Sequence, residues 1–264
     1  MEIWKAILVG IVQGLSEFLP VSSSGHIALL QHALGMREAG GRQDITFELV
    51  LHLGTFLSVV IYFRRRLTGF VLSLWQKERK EERRMILWLV VATIPATVAF
   101  FSAKDLFEGA YDNPVLVGGC LLVTGGILLL PKLFPRGSRE FGLRQAIWMG
   151  VAQSFAILPG ISRSGATITA GLLAGGKASK AAEFSFLMFL PAIGGGTLLK
   201  LKELKDVMQG EAATAYVLGF MAAFVSGLFA VYLVLRTIKK GKFEYFGYYC
   251  FGAGLVAMVY FGTG

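Results

Sequence analysis

Apolar residues fill this chain in long blocks. Charge-free runs of 15 to 24 residues occupy 49–63, 85–103, 113–131, 184–199, 212–235 and 245–264. About 20 apolar residues cross the hydrocarbon core of a bilayer, and flanking side chains extend shorter runs. The pattern predicts an all-α polytopic membrane protein with about six transmembrane helices, near 45–63, 85–103, 113–131, 182–200, 212–235 and 245–263. A soluble fold is excluded on the same ground, because little polar surface remains to cover such runs.

Two stretches depart from this pattern, and they do so in the same way. Residues 10–25 read GIVQGLSEFLPVSSSG, and residues 150–165 read GVAQSFAILPGISRSG. Gly10, Gln13, Ser22, Ser24 and Gly25 recur as Gly150, Gln153, Ser162, Ser164 and Gly165. Each copy has an apolar helical run, a proline and a serine-rich turn that ends in glycine. Irregular backbone facing lipid would leave amides unsatisfied. Segments 4–34 and 145–176 are therefore predicted to be re-entrant, each with two half-helices joined by a turn. Three spans separate them, an odd number, so the second enters from the opposite face. The expected architecture is one integral membrane domain over 1–264, built of inverted repeats at about 1–131 and 141–264. Their turns would meet near the midplane.

Charge sharpens this picture. Only 16% of residues are charged, against about 25% in soluble domains, and the net charge is +9. The excess is confined to short loops: eight Lys or Arg in 64–84, four in 131–144 and four in 236–243. Short basic loops read as cytoplasmic rather than as a nucleic-acid surface. The loop 104–113, with Asp105, Glu108 and Asp112 against one Lys, reads as external, and so does the mixed loop 200–211. Both termini then lie outside, and the first re-entrant segment opens outward. No cleavable signal peptide is expected in MEIWKAILVG. Cys120 and Cys250 sit in apolar spans and read as small core residues.

The candidate chemistry lies in the two turns. In VSSSGH, the hydroxyls of Ser22, Ser23 and Ser24 and the amides near Gly25 begin a half-helix, a setting that favours anions. His26 can serve as nucleophile, acid or base. Glu17 is costly at membrane depth and is a functional candidate for that reason. Gln13 lies one turn before it, so the two could offer oxygen ligands to a divalent cation, or Glu17 alone could be a base. In PGISRSGAT, Arg163 stands between Ser162 and Ser164, with Gly165 and Thr167 following. Arg recognises phosphate in a bidentate manner, and its resting partner could be Glu17. Glu48 and His52 share a helix face and are assigned no chemistry, nor is His32. The combination suits reaction at a phosphate carried by a lipid, with Ser23 or His26 attacking or positioning water.

These residues also carry a family resemblance. Gln13 to Glu17 followed by FLPVSSSGH, and PGISRSGAT at 159–167, resemble the two motifs of the bacterial undecaprenyl-diphosphate phosphatases. FELVLHLGT and AAEFSFLMFLPA look like the same family, so the resemblance covers nearly the whole chain. It implies hydrolysis of undecaprenyl diphosphate to the monophosphate, which recycles the carrier lipid for cell-wall polymers, and a link to bacitracin resistance. It also implies location in the bacterial cytoplasmic membrane, with the site opening to the external side. By matched position Glu17, Ser23, His26 and Arg163 take the catalytic places. Ser22, Ser24, Gly25, Ser162, Ser164, Gly165 and Thr167 take substrate-binding ones. The family's divalent cation, Mg2+ or Ca2+, would sit at Gln13 and Glu17. Position 13 is Gln where some members have Glu, so the substrate diphosphate would supply part of the cation's shell. Expected partners are the lipid-linked diphosphate, membrane lipids and a second copy of the chain in a homodimer; no nucleic acid is expected.

Two relatives in chemistry are set aside. The other large lipid-phosphatase family needs a second His a few residues after its Arg, and 164–176 contains none. A cysteine phosphatase would need a Cys before Arg163 in a phosphate loop. The alternative that remains is a transporter or flippase of a phosphorylated lipid, since inverted repeats with broken helices are its usual form.

Overall fold

The computed structural model describes residues 2–36, 45–102, 113–134, 137–199 and 213–263. Among them the chain is helical, without a strand beyond one isolated bridge between Arg139 and Gly176. In chain order the helices are α1 (Ile3–Phe18), α2 (Ser23–Ala33), α3 (Ile45–Tyr62), α4 (Arg64–Ser73), α5 (Lys80–Ser102) and α6 (Pro114–Leu129). After a 3-10 turn at Leu130–Leu133 come α7 (Leu143–Phe155), α8 (Arg163–Leu173), α9 (Ala178–Leu199), α10 (Ala213–Lys239) and α11 (Tyr245–Gly262).

Each of the six expected spans falls on a helix. Four are long and apolar enough alone to cross a membrane: Lys80–Ser102, Pro114–Leu133, Ala213–Lys239 and Tyr245–Gly262. A fifth qualifies if Thr46–Tyr62 and Arg64–Ser73, bent by 75°, count as one broken span. The chain is a multi-pass membrane protein. Segment 64–84, expected as a basic loop, holds α4 and the start of α5 instead. The bend falls where the apolar run of α3 meets Arg64, Arg65 and Arg66. Arginine is a good helix former, so the charge turns the helix rather than ending it. The loops 104–112 and 200–211 lie outside the described residues.

Both expected half-helix pairs are present. Helix α1 stops at Leu19 because Pro20 follows, and Leu19 is extended (ψ 135°) as a residue before proline must be. Helix α2 restarts three residues later with Ser22 as its N-cap. Helices α7 and α8 repeat the form with Ser162 as the N-cap. The packing partners exchange in the same way between the halves: α1 lies on α10 and α7 on α5, while α6 lies on α11. The α1–α10 contact is backbone to backbone. A Cβ on Gly10 would sit 2.4 Å from Gly219 O, and one on Gly14 2.4 Å from Ala223 O. Small residues at this spacing let membrane helices approach closely.

A packed cluster lies under the turns. Phe18 meets Phe186 and Phe189 edge to face at 5.6 and 5.8 Å, with Val21, Val59, Leu128 and Ile168 around them. Such rings keep few rotamers when buried, so the residues standing on them are held in place.

Candidate active site

The two turns meet tip to tip. Ser22 Oγ accepts the Gly160 N–H at 3.1 Å, and Thr124 Oγ1 donates to Gly160 O at 2.7 Å. Thr124 also accepts the Ser162 N–H at 3.0 Å. Both backbone groups of Gly160 are thus satisfied by hydroxyls from elsewhere in the chain. A Cβ on Gly25 would come within 2.9 Å of Gly160 Cα, so this close approach requires glycine at position 25.

Each serine cap works alike. Ser22 Oγ accepts the Gly25 N–H at 3.3 Å, and Ser162 Oγ accepts the Gly165 N–H at 3.0 Å. Ser24 and Ser164 lie 3.3 Å from their respective caps. Ser22 is the only non-glycine residue with positive φ (72°) among the described residues, a strained setting imposed by the tight first turn. The consequence is electrostatic. Helices α2 and α8 both begin at the meeting point, and first-turn amides lack intrahelical partners. Two helix N-termini aim at one place, which favours an anion there.

Glu17, buried at 7% exposure, gathers the charged and polar side chains. Arg163 Nη2 donates to Glu17 Oε1 at 2.5 Å, and Ser23 Oγ donates to Glu17 Oε2 at 2.6 Å. Gln13 Nε2 donates to Glu17 Oε2 at 3.0 Å and to His52 Nδ1 at 2.9 Å. The reverse orientation of the amide would face its oxygen toward the carboxylate, so the orientation follows from the network. His52 Nδ1 itself lies 3.7 Å from Glu17 Oε2. The Arg163 guanidinium stacks on the Phe189 ring at 4.7 Å. Between the turns is a cleft of about 50 Å³ lined by Glu17, Ser22, Ser23, Ser162, Arg163 and Ser164. That is room for a few water molecules.

The structure thus brings together Glu17, Ser23, Arg163, Gln13 and the four capping and flanking serines. His26 touches this group only through the Ser22 carbonyl and does not line the cleft. His26 Nδ1 faces Ser22 O and Nε2 faces Tyr249 Oη, each at 2.8 Å, and the imidazole stacks on the Tyr249 ring. Thr167 also turns aside, bonding Arg163 O and Ser185 Oγ. Glu48 accepts from Gln31 at 3.3 Å. Sequence reasoning left His52, Thr124, Phe189 and Tyr249 out of the site. For His52 a signal existed, a polar residue interrupting an apolar run. Tyr249 reads like any aromatic near a membrane surface.

A divalent cation can be weighed against these donors. Gln13 Oε1 is buried without a hydrogen-bond partner, while Nε2 of the same amide faces the Glu17 carboxylate. No group of three His, Cys, Asp or Glu side chains converges among the described residues. The donors are hard oxygens and few, which fits a cation that takes the rest of its shell from substrate and water.

Known proteins resemble this chain over nearly its whole length. The family described as bacitracin resistance protein BacA matches residues 6–256. The chain is 38% identical to an undecaprenyl-diphosphatase of Salinibacter ruber, over 96% of this chain and 97% of that one. It is 40% identical to the undecaprenyl-diphosphatase of Syntrophotalea carbinolica, over 96% and 97%. It is 35% identical to that of Bacteroides thetaiotaomicron, over 97% of each chain.

Proposed function

The chain belongs to the bacitracin resistance protein BacA family, and we propose that it hydrolyses undecaprenyl diphosphate to undecaprenyl monophosphate and inorganic phosphate. The observation that carries this reading is the convergence of Glu17, Ser23 and Arg163 on a cleft faced by two helix N-termini. That constellation holds an anion, an activated hydroxyl and a cation for phosphate in one place.

Ser23 is the nucleophile in this account. Its hydroxyl already donates to Glu17 at 2.6 Å, whereas both nitrogens of His26 are engaged elsewhere. The diphosphate enters and draws Arg163 from Glu17 onto the phosphoryl oxygens. Glu17 takes the Ser23 proton as Ser23 Oγ bonds to the terminal phosphorus. The bond from that phosphorus to the bridging oxygen breaks, and its electron pair leaves with undecaprenyl monophosphate. Water then attacks the phosphoserine, inorganic phosphate departs, and the Ser23 oxygen regains a proton. Gln13 and Glu17 would hold the divalent cation, whose contribution when bound is to neutralise charge on the phosphoryl oxygens.

The meeting of the hairpins tip to tip supports inverted repeats, since their open ends then face apart. The short basic loops support a cytoplasmic-membrane location with the first hairpin opening to the external side. The test is phosphate release from undecaprenyl diphosphate by the purified chain, with and without chelator. Release is expected, and its absence together with lipid movement in liposomes would favour the transporter reading.

A further inference from the structure

A second cavity, of about 590 Å³, opens between the turn after α6, the start of α9 and the connection from α10 to α11. Its floor is apolar. Leu128, Leu172, Ile238 and Phe243 line it, and all pack with the cluster that holds Phe18 and Phe189 under the cleft. Its rim is cationic, with Lys132, Lys177 and Lys239 against one acid, Glu244. Lys132 Nζ donates to Tyr248 Oη at 3.1 Å and lies 5.5 Å from the centre of that ring. A phenol is neutral, so that bond leaves the charge of Lys132 in place, and Glu244 is the acid that acts on it. Lys177 is bridged to the exposed Glu140.

Helix α8 connects the two sites. It begins at Arg163 in the cleft and ends at Leu172 and Leu173 in the cavity wall. At 1.5 Å per residue the two ends are about 15 Å apart. The cavity thus lies on the side of the short basic segments, away from the cleft.

We propose that this cavity binds the phosphomonoester head of a polyprenyl phosphate, the product class of the reaction. The phosphate sits at Lys132 and Lys239, and the first isoprenoid units lie on Leu128, Leu172 and Phe243. The volume falls within the roughly 300–1,000 Å³ usual for small-ligand sites. Free phosphate would leave the floor wet, and an uncharged lipid would leave the lysines unmatched. An amphiphile with an anionic head satisfies both surfaces. The assignment to the product class rests on the hydrolytic reading.

The test uses the full chain carrying Glu17→Gln/Arg163→Ala, which disables the cleft without leaving a buried unpaired charge, with farnesyl phosphate as the probe and native mass spectrometry as the readout. One bound farnesyl phosphate per chain is expected. Affinity should fall by about 100-fold or more in Lys132→Glu/Lys239→Glu, the loss of two charge-assisted contacts at about tenfold each. Lys132→Gln and Lys239→Gln should each weaken binding as well, and serve if charge reversal unfolds the chain. Farnesol and inorganic phosphate should both bind at least about tenfold more weakly than farnesyl phosphate, since each lacks one half of the contact. No adduct, or affinity unchanged in the lysine variants, overturns the proposal. Binding of farnesol or of inorganic phosphate as tight as that of farnesyl phosphate overturns it too. Hydrolysis is read separately, by phosphate release from undecaprenyl diphosphate, so either reading can fail alone.

Discussion

The guanidinium of Arg163 lies 2.5 Å from the carboxylate of Glu17, although 146 positions separate them and they stand on different hairpins. One side chain is 19% exposed and the other 7%. Each makes the burial of the other tolerable, and together they tie the two hairpins across the cleft they line. The pair is therefore a latch as well as a pair of chemical groups.

A latch of this kind has a signature in stability. Arg163→Ala leaves Glu17 buried without its guanidinium, with Ser23, Gln13 and His52 still beside it, and should destabilise the chain by about 1–3 kcal/mol. Glu17→Gln/Arg163→Ala removes both charges and should recover much of that loss. Thermal unfolding of the single and double variants in detergent checks this. A double variant less stable than Arg163→Ala would mean that the pair is not coupled.

The short Ser23–Glu17 hydrogen bond makes a kinetic prediction. Ser23→Ala should lower kcat by about 10²–10⁴, the range for losing an activated group, whereas Ser24→Ala should change it far less. Acid-quenched turnover followed by mass spectrometry should find a phosphoryl group on Ser23. Full activity in Ser23→Ala would assign the attack to water instead.

The packing of the second turn against α6 predicts a steric effect. Gly160 has φ +94°, and a Cβ there would lie 2.5 Å from Cys120 Cβ and 2.5 Å from Val117 O. Gly160→Ala should cost about 2–4 kcal/mol, combining strain with overpacking. Gly35 also has positive φ (61°) but meets nothing within 4 Å. Gly35→Ala should therefore cost only about 1 kcal/mol, from strain alone. Comparing the two melting temperatures separates packing from backbone strain.

The unpartnered Gln13 Oε1 bears on the cation. Gln13→Glu places a second carboxylate beside Glu17. The two should repel and lower the melting temperature in chelator. Added Mg2+ or Ca2+ should restore it, and should raise the melting temperature more in Gln13→Glu than in the unaltered chain. Equal responses to cation in both chains would place the metal elsewhere.

Much of this was legible in the residue pattern. Glu17, Pro20 and the serines interrupt an apolar run, and membrane physics allows such an interruption only where protein surrounds it. That is why both hairpins and the Glu17–Arg163 pairing could be anticipated from residues 10–25 and 150–165. What escaped depends on rotation and on distance along the chain. His52 reaches Gln13 across 39 positions, and helical spacing alone paired it with Glu48. Tyr249 reaches His26 across 223 positions from a helix with aromatics on several sides. The bend between α3 and α4 was hidden because counting charges cannot distinguish a loop from an arginine-rich helix.

The central claim is that one catalytic unit is assembled from the two hairpins. Its most direct measurement is the rate of phosphate release from undecaprenyl diphosphate by the purified chain and by Glu17→Gln, Arg163→Ala and the double variant. The account predicts release by the unaltered chain and a loss of about 10²-fold or more in each single variant. The double variant should be little worse than either, because residues acting as a unit are non-additive. Release that survives in Glu17→Gln or Arg163→Ala, or losses that simply multiply in the double variant, would contradict it.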